Sequence, residues 1–146
     1  MLDGLDGSGK TTQIETLKKR LAAEGFSHEF FHFPQYERFF GGLVGRYLKG
    51  EFGKKEEIPI EIVILLYAID RYDVKPIIEK FLAKGKIVVM DRYLQSSYVY
   101  QSASFEGKYK KELFEWNKIV NSRLPQVDAF FYLNMPREAS EQLMKL

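Results

Sequence analysis

The chain has 146 residues, a formal net charge of +2 and no cysteine. Its length suits one domain, and the lack of cysteine excludes disulfides, cysteine-ligated zinc and thiol catalysis. Hydrophobic residues make up 45% and charged residues 29%, which is typical of a folded globular protein. The small net charge argues against a nucleic-acid-coating or membrane-surface role, and no apolar run reaches the ~18 residues that a spanning helix needs. No signal peptide is visible at the N-terminus.

The first half of the chain is predicted to alternate between strands and helices. A short apolar start over residues 1–3 leads into a glycine-rich stretch, and the apolar spacing then predicts a helix over 11–23. Aromatic residues over 28–33 indicate a strand, and a helix over 39–49 follows, although three glycines weaken it. A charged, glycine-containing loop over 50–57 ends this half.

The second half continues the alternation. Pro59 suits the first turn of a long helix, which Pro76 should kink or restart before Gly85 ends it. The β-branched run over 86–90, ending at Asp91, predicts a buried parallel strand. Further elements are predicted as helices over 96–102 and 110–122, a strand over 127–133 and a helix over 136–146. Such alternation predicts an α/β fold with a mainly parallel sheet.

The segment Gly4–Thr11 reads Gly-Leu-Asp-Gly-Ser-Gly-Lys-Thr and matches every fixed position of the phosphate-loop pattern GxxxxGK[ST]. Glycines let backbone N–H groups turn towards phosphate oxygens. Lys10 can then reach the β- and γ-phosphates, and the Thr11 hydroxyl can bind Mg²⁺. The helix that follows directs its positive N-terminal end at the anion. The position between a short apolar segment and an amphipathic helix is the context that this motif requires.

Two classes of phosphate-loop protein fit the sequence poorly. A GTPase needs the guanine-reading sequence Asn-Lys-x-Asp, whereas Asn117-Lys118 is followed by Ile119-Val120. A hydrolysing ATPase commonly ends its second acidic strand with Asp-Glu, but here the strand ends with Asp91-Arg92. Arginine clamps phosphate and cannot act as a base. This pair suits a kinase whose acceptor is already a phosphate oxyanion, since such an acceptor needs positioning and positive charge rather than a base.

Two groups of residues could recognise an acceptor. Tyr67 and Arg71 are four residues apart on one helix face, where a ring and a guanidinium could stack on a base and bind its edge. Taken alone, that pair is better explained as a core tyrosine beside a solvated arginine. Ser97, Tyr100 and Gln101 share the face of a helix that leaves a strand end, where α/β proteins bind ligands, although a capped helix with a surface aromatic is the alternative.

Taken together, the motifs resemble the thymidylate kinase family of nucleoside monophosphate kinases. The resemblance rests on segments in the family's order and spacing, over essentially the whole chain: Asp3–Gln13, Phe33-Pro34, Leu65–Arg71, Asp91–Tyr93, Ser96 and Tyr100-Gln101. It implies a single P-loop kinase domain over 1–146, with a three-layer arrangement of helices around a mainly parallel sheet. The implied activity is transfer of the γ-phosphate of ATP to dTMP, giving dTDP and ADP in dTTP biosynthesis.

The resemblance also assigns roles to matching positions. Lys10 and Arg92 would be the catalytic residues, with Arg92 clamping the acceptor phosphate. The ATP phosphates would bind at Gly4, Asp6, Gly7, Ser8, Gly9, Lys10, Thr11 and Thr12. The dTMP-binding residues would be Asp6, Phe33, Pro34, Tyr36, Tyr67, Arg71, Arg92, Ser96, Ser97, Tyr100 and Gln101.

Within that set, the resemblance implies that Tyr67 stacks on thymine, Arg71 reaches a base carbonyl, and Tyr100 fills the space of a ribose 2′-hydroxyl. Mg²⁺ would be held with help from Thr11, Asp6 and Asp91. A cytoplasmic homodimer is expected, with ATP and dTMP as its partners and no nucleic acid or membrane.

Two departures from the family pattern leave alternatives open. Some members carry an arginine at the position of Gly7, and the others use arginines of a lid that would follow the 136–146 helix, where this chain ends. Only residues 1–3 precede Gly4, which is at most ~10 Å of what should be the central strand. We therefore expect a domain cut short at both ends, without the lid and the last strand. The alternatives are a kinase for another deoxynucleotide or a deoxynucleoside, or a catalytically poor nucleotide-binding fragment.

Overall fold

The computed structural model describes residues 1–143 and contains one parallel sheet flanked by helices. The strands are β1 (Leu2–Gly4), β2 (His28–His32), β3 (Ile87–Asp91) and β4 (Phe131–Leu133), in the order β2-β3-β1-β4. The helices are α1 (Lys10–Ala23), α2 (Phe39–Leu48), α3 (Ile60–Ala83), α4 (Leu94–Tyr100), α5 (Gly107–Val120) and α6 (Arg137–Leu143). The predicted α/β class is confirmed, and the predicted helix residues 144–146 lie outside the described residues.

The register of the sheet brings the ends of three strands together. β1 pairs in parallel with β3 through Leu2 and Asp91, and with β4 over its three residues. β2 pairs with β3 over five residues, from His28 opposite Ile87 to His32 opposite Asp91. Because parallel strands share the edge at which their carboxyl ends lie, the loops after β1, β2 and β3 all open on one side of the sheet.

Two predicted elements differ from the structure. The strand expected over 127–133 covers only Phe131–Leu133, because β1 offers ladder partners to three residues alone. A kink or a restart is expected at Pro76; the helix does not restart there, because α3 runs unbroken from Ile60 to Ala83, 24 residues in all. A proline inside a helix costs about 3 kcal/mol, which the burial of Val74 and Ile78 on either side can offset.

The apolar core lies between the sheet and α3, and it includes Phe33, Met90 and Tyr93. The chain leaves β3 through Arg92 and the fully buried Tyr93 before α4 begins at Leu94. This anchors the start of α4 beside the sheet edge where the loops open. Within residues 1–143, none of the helices is both long and apolar enough to cross a lipid bilayer.

Candidate active site

The phosphate loop, residues 4–11, joins β1 to α1 and folds around its own lysine. Gly7 and Gly9 have φ angles of 76° and 85°, and Gly9 is the residue directly before α1. The Lys10 ammonium donates hydrogen bonds to the Gly4 and Leu5 carbonyls at 3.0 and 2.8 Å. Burial, with a further contribution from the Arg92 guanidinium, lowers the pKa of Lys10. The loop therefore holds a cation at its centre, in front of the N-terminus of α1.

Gly4 allows the loop to leave the sheet in close contact with its neighbours. Its φ is 156°, and a Cβ there would lie 2.6 Å from Ser8 Oγ and 2.9 Å from the Leu133 carbonyl oxygen. Only a glycine therefore fits between the loop and β4. On the outer side of the loop, the side chain of Asp6 and the hydroxyl-bearing residues Thr11 and Thr12 are exposed to solvent.

Arg92 connects the phosphate loop, the sheet and α4. One end of its guanidinium donates from Nη2 to Asp6 Oδ1 at 2.5 Å. The other end, Nη1, donates to Asp3 Oδ1 at 3.4 Å and to the Tyr100 hydroxyl at 3.3 Å. Its φ of 58° is a left-handed conformation that non-glycine residues seldom adopt. Such strain is typical of residues whose side chain must be held in one place for function.

Asp3 has a structural role that the sequence did not indicate. It is buried at the end of β1 and accepts hydrogen bonds from the Gly4 amide at 2.8 Å and from Ser96 Oγ at 2.5 Å. Together with Arg92, it joins the first turn of α4 to the strand from which the phosphate loop starts. Only its place directly before the motif could have drawn attention to it.

The cavity beside this loop, which we call the aromatic cavity, has a volume of about 340 Å³. It brings together every residue that the resemblance assigned to dTMP, and adds Leu48 and Tyr93. Its lining comprises Asp6, Phe33, Pro34, Tyr36, Leu48, Tyr67, Arg71, Arg92, Tyr93, Ser96, Ser97, Tyr100 and Gln101. The volume lies in the range of small-molecule sites.

A second groove runs along the phosphate loop and meets the aromatic cavity. Asp6 and Arg92 line both spaces, and so do the residues of the cis Phe33-Pro34 turn. The groove also contains Lys10, Thr11 and Asp91. Two compartments thus adjoin at Arg92, one formed by the glycine-rich loop of residues 4–11 and the other by aromatic side chains.

At the inner end of the aromatic cavity, Arg71 is buried rather than solvated, which excludes one interpretation left open by the sequence. It donates from Nε and Nη2 to Asn121 Oδ1, at 3.1 and 3.0 Å, and from Nη2 to Ser97 Oγ at 3.1 Å. Burial lowers its pKa to about 10. Tyr67 is half-buried one turn away, and burial raises its pKa to about 12.

Asn117 on α5 and Asn121, which directly follows that helix, are polar residues that the sequence does not indicate as part of a site. Both are fully buried, and Asn121 Nδ2 donates to Asn117 Oδ1 at 2.7 Å. Asn117 Nδ2 donates in turn to the Ser97 carbonyl at 3.1 Å. Their spacing of four residues places them on one helix face, but nothing in the sequence connects that face with Arg71.

The wall formed by Phe33, Pro34 and Tyr36 is tied to α3 through Asp70. The backbone N–H of Gln35 donates to both Asp70 carboxylate oxygens, at 3.1 and 3.3 Å. Burial raises the pKa of Asp70 to about 6. Gly41 of α2 packs so closely that a Cβ there would lie 2.7 Å from Asp70 Oδ1.

The chemistry of three side chains along the groove suits a magnesium ion. Asp91 Oδ1 is buried and has no hydrogen-bond partner among residues 1–143, which leaves an oxygen available to a ligand. Thr11 and Asp6 offer exposed oxygens on the same groove. The described residues hold no cluster of three His, Cys, Asp or Glu side chains at metal-binding distances. Magnesium at phosphate sites commonly takes only one or two protein ligands, with phosphate and water supplying the rest.

Comparisons with known proteins agree on one family. The model of the family described as thymidylate kinase matches residues 2–145. The thymidylate kinase of Homo sapiens is 30% identical over 135 residues, which are 92% of this chain and 59% of the human protein. A probable thymidylate kinase of Pyrococcus abyssi is 36% identical over 142 residues, 96% of this chain and 66% of that protein.

A solved structure is also similar. The thymidylate kinase of Candida albicans superposes with a TM-score of 0.81 at 26% identity, over 97% of this chain and 64% of that one. The chain thus spans roughly three fifths to two thirds of the length of these relatives.

Proposed function

The chain belongs to the thymidylate kinase family, and from that premise we propose that it transfers the γ-phosphate of ATP to dTMP, giving dTDP and ADP. The observation that carries the proposal is the meeting of two compartments at Arg92. A nucleoside monophosphate kinase needs a donor-phosphate loop and an acceptor pocket that open towards one another, because the acceptor oxygen must approach the γ-phosphorus in line.

In this proposal the donor binds along the groove. The phosphate-loop residues Gly4, Gly7, Ser8 and Gly9 surround the phosphates with backbone N–H groups, and Thr12 lies at the start of α1 behind them. Lys10 exchanges its contacts with the loop carbonyls for the β- and γ-phosphate oxygens. Thr11, Asp6 and Asp91 would hold Mg²⁺, which would neutralise part of the phosphate charge.

The acceptor occupies the aromatic cavity with its phosphate at the Arg92 end and its base at the Arg71 end. Tyr67 stacks on the base, with Arg71 and Ser97 at its edge and Gln101 beside it. Phe33, Pro34 and Tyr36 form the wall beside the sugar and phosphate. Tyr100 takes the space of a 2′-hydroxyl. Its contact with Arg92, whose Cζ lies 5.4 Å from the ring centre, holds the ring beside the phosphate clamp.

The charges around the junction favour a phosphate acceptor over a hydroxyl acceptor. A hydroxyl needs a general base, whereas a phosphate oxyanion does not. Among the residues that line the aromatic cavity, Asp6 is the only carboxylate, and Arg92 already binds it at 2.5 Å. The carboxylate of the cavity lining is therefore paired with a guanidinium and is not free to act as a general base.

An assay of ADP release with dTMP, dUMP, dCMP, dGMP and AMP tests the proposal. We expect dTMP to be the best acceptor. Equal turnover of all five nucleotides, or a preference for AMP, would contradict it. The homodimer and the cytoplasmic location that the resemblance implies remain part of the proposal, and size-exclusion chromatography with light scattering tests the former.

A further inference from the structure

Two buried asparagines, Asn117 on α5 and Asn121 directly after it, bear on the selectivity of the site for the base, an inference that rests on the proposed function. We propose that Asn121 is a positioning residue for Arg71, and that it thereby sets the preference for a base edge with a carbonyl over one with an amino group. Asn121 lines neither the aromatic cavity nor the groove, so any effect on the ligand must pass through the arginine.

Part of the Arg71 guanidinium is already bonded to acceptors of the protein. Nε and Nη2 both donate to Asn121 Oδ1, and Nη2 also donates to Ser97 Oγ. Among residues 1–143, Nη1 makes no hydrogen bond, although the side chain is only 2% exposed and lines the aromatic cavity. A guanidinium has five N–H donors and no acceptor. The remaining donors are therefore open to an acceptor atom in the cavity, which is water in the free protein and a ligand atom in a complex.

Hydrogen-bond chemistry fixes the orientation of the Asn121 side-chain amide. Arginine cannot accept a hydrogen bond, so Asn121 must present its oxygen to Arg71 and its amide must point elsewhere. The amide donates to the Asn117 carbonyl at 2.8 Å and to Asn117 Oδ1 at 2.7 Å. Asn117 is held by its own donation to the Ser97 carbonyl. Each amide has one orientation that satisfies all of these bonds, so the network fixes the guanidinium plane.

The groups that hold Arg71 leave its positive charge unneutralised. The anchor is a neutral amide, and the adjacent carboxylate of Asp70 is bonded to the Gln35 amide instead. The Asp70 carboxylate attracts Arg71 at longer range, but among the described residues no carboxylate lies within ion-pair distance of it, so its charge is not paired before a ligand enters. A charged donor in a desolvated site strengthens the hydrogen bond to a carbonyl and repels an amino group. An aspartate at position 121 would have cancelled that charge.

The test is a double-mutant cycle read as a ratio of affinities. Dissociation constants for dTMP and dCMP are measured by calorimetry on the wild type, Asn121→Ser, Arg71→Lys and the double variant. We expect Asn121→Ser to weaken dTMP binding roughly tenfold and dCMP binding much less, as for loss of a hydrogen bond to a charged group. In the Arg71→Lys background, the same substitution should leave the ratio unchanged, because Asn121 acts through the arginine.

Ser102→Ala is the matched control. It removes a buried hydrogen bond from Ser102 Oγ to the Tyr98 carbonyl in the turn after α4, without touching Arg71. This variant should lose stability and keep the wild-type ratio. Should Asn121→Ser fail to fold, Asn117→Ser loosens the same amide chain and should lower the ratio in the same direction.

An unchanged ratio in folded Asn121→Ser would overturn the inference, as would an equal loss of affinity for both nucleotides. The proposed function fails separately, if the wild type does not bind dTMP or binds dCMP equally well. The wild-type titrations and the cycle thus report on different claims.

Discussion

The phosphate loop and the aromatic cavity adjoin at Arg92, but they are built in opposite ways. The loop is one contiguous segment whose shape comes from the backbone, with glycines at φ angles of 76° and 85° and a lysine held by two carbonyls. The cavity is assembled from side chains of α2, α3, α4 and the turns after β1, β2 and β3. Asp70, Asn117 and Asn121 lie outside the cavity lining, and their buried hydrogen bonds orient those side chains.

In the proposed function, the loop therefore serves phosphoryl transfer and the cavity serves selection of the base. A loop that binds through backbone N–H groups recognises phosphate in general. A cavity that binds through oriented side chains can distinguish one base from another. Apart from Asp6 and Arg92, which line both spaces, substitutions in the loop should therefore impair transfer without changing acceptor affinity, and substitutions in the cavity should weaken acceptor binding without impairing transfer.

The largest effect is expected at Lys10. Lys10→Ala removes the charge at the centre of the loop and should lower the turnover number by about 10²–10³-fold, as for loss of one donor to a developing oxyanion. The affinity for dTMP in the absence of ATP should stay within about twofold of the wild type. Steady-state ADP release and calorimetry measure the two quantities.

Lys18→Ala serves as the control for Lys10. Lys18 lies on the same helix and pairs with Glu15 near the surface, away from the groove. Lys18→Ala should leave the turnover number and the affinity for dTMP unchanged. A Lys10→Ala protein that turns over at the wild-type rate would remove the loop from the account of catalysis.

The next effect tests whether the backbone gives the loop its shape. Gly4→Ala combines a φ of 156° with a Cβ 2.9 Å from a carbonyl oxygen, and should lower the free energy of unfolding by about 3–4 kcal/mol. Gly9→Ala has a φ of 85° but nothing within 4 Å, and should cost about 1–2 kcal/mol. Urea denaturation measures both. Equal losses would show that close approach to β4 does not matter.

Stacking in the aromatic cavity gives the third effect. Tyr67→Ala should weaken dTMP binding by about 1–3 kcal/mol through loss of contact with the base, and leave the affinity for ATP unchanged. Tyr67→Phe should bind normally, since the ring and not the hydroxyl makes the contact. Ile69→Ala, a partly exposed position on the same helix, is the control. Normal dTMP affinity in Tyr67→Ala would exclude the stacking role.

The sequence revealed these two regions to different extents. The phosphate loop is a local pattern, and Tyr67 and Arg71 share a helix face by spacing alone, so both could be predicted. The burial of Arg71 could not, because it depends on Asn121, fifty residues away on another helix. The continuity of α3 through Pro76 and the shortness of β4 likewise depend on tertiary packing and on the ladder with β1.

The last effect concerns Asp70 and the pH dependence of stability. Its folded-state pKa of about 6 lies above the ordinary value of 3.8, so between these values the folded protein holds more protons than the unfolded chain. The contribution of this group to stability therefore falls as pH rises through that window and is constant above it. A difference of about two pKa units corresponds to a change in the free energy of unfolding on the order of 3 kcal/mol across that window.

Asp70→Asn removes this contribution to the pH dependence. Relative to the wild type, the variant should gain stability as pH rises from about 4 to about 6, as measured by urea denaturation at several pH values. A difference that is independent of pH would mean that Asp70 ionises as it does in the unfolded chain.

Binding of an acceptor without a donor tests most directly whether the aromatic cavity is a side-chain site already arranged for dTMP. The protein is titrated calorimetrically with dTMP and with AMP, in the absence of ATP and Mg²⁺. The account predicts that dTMP binds at one site and that AMP binds at least tenfold more weakly. Equal affinities, or no binding of dTMP until ATP is added, would contradict it.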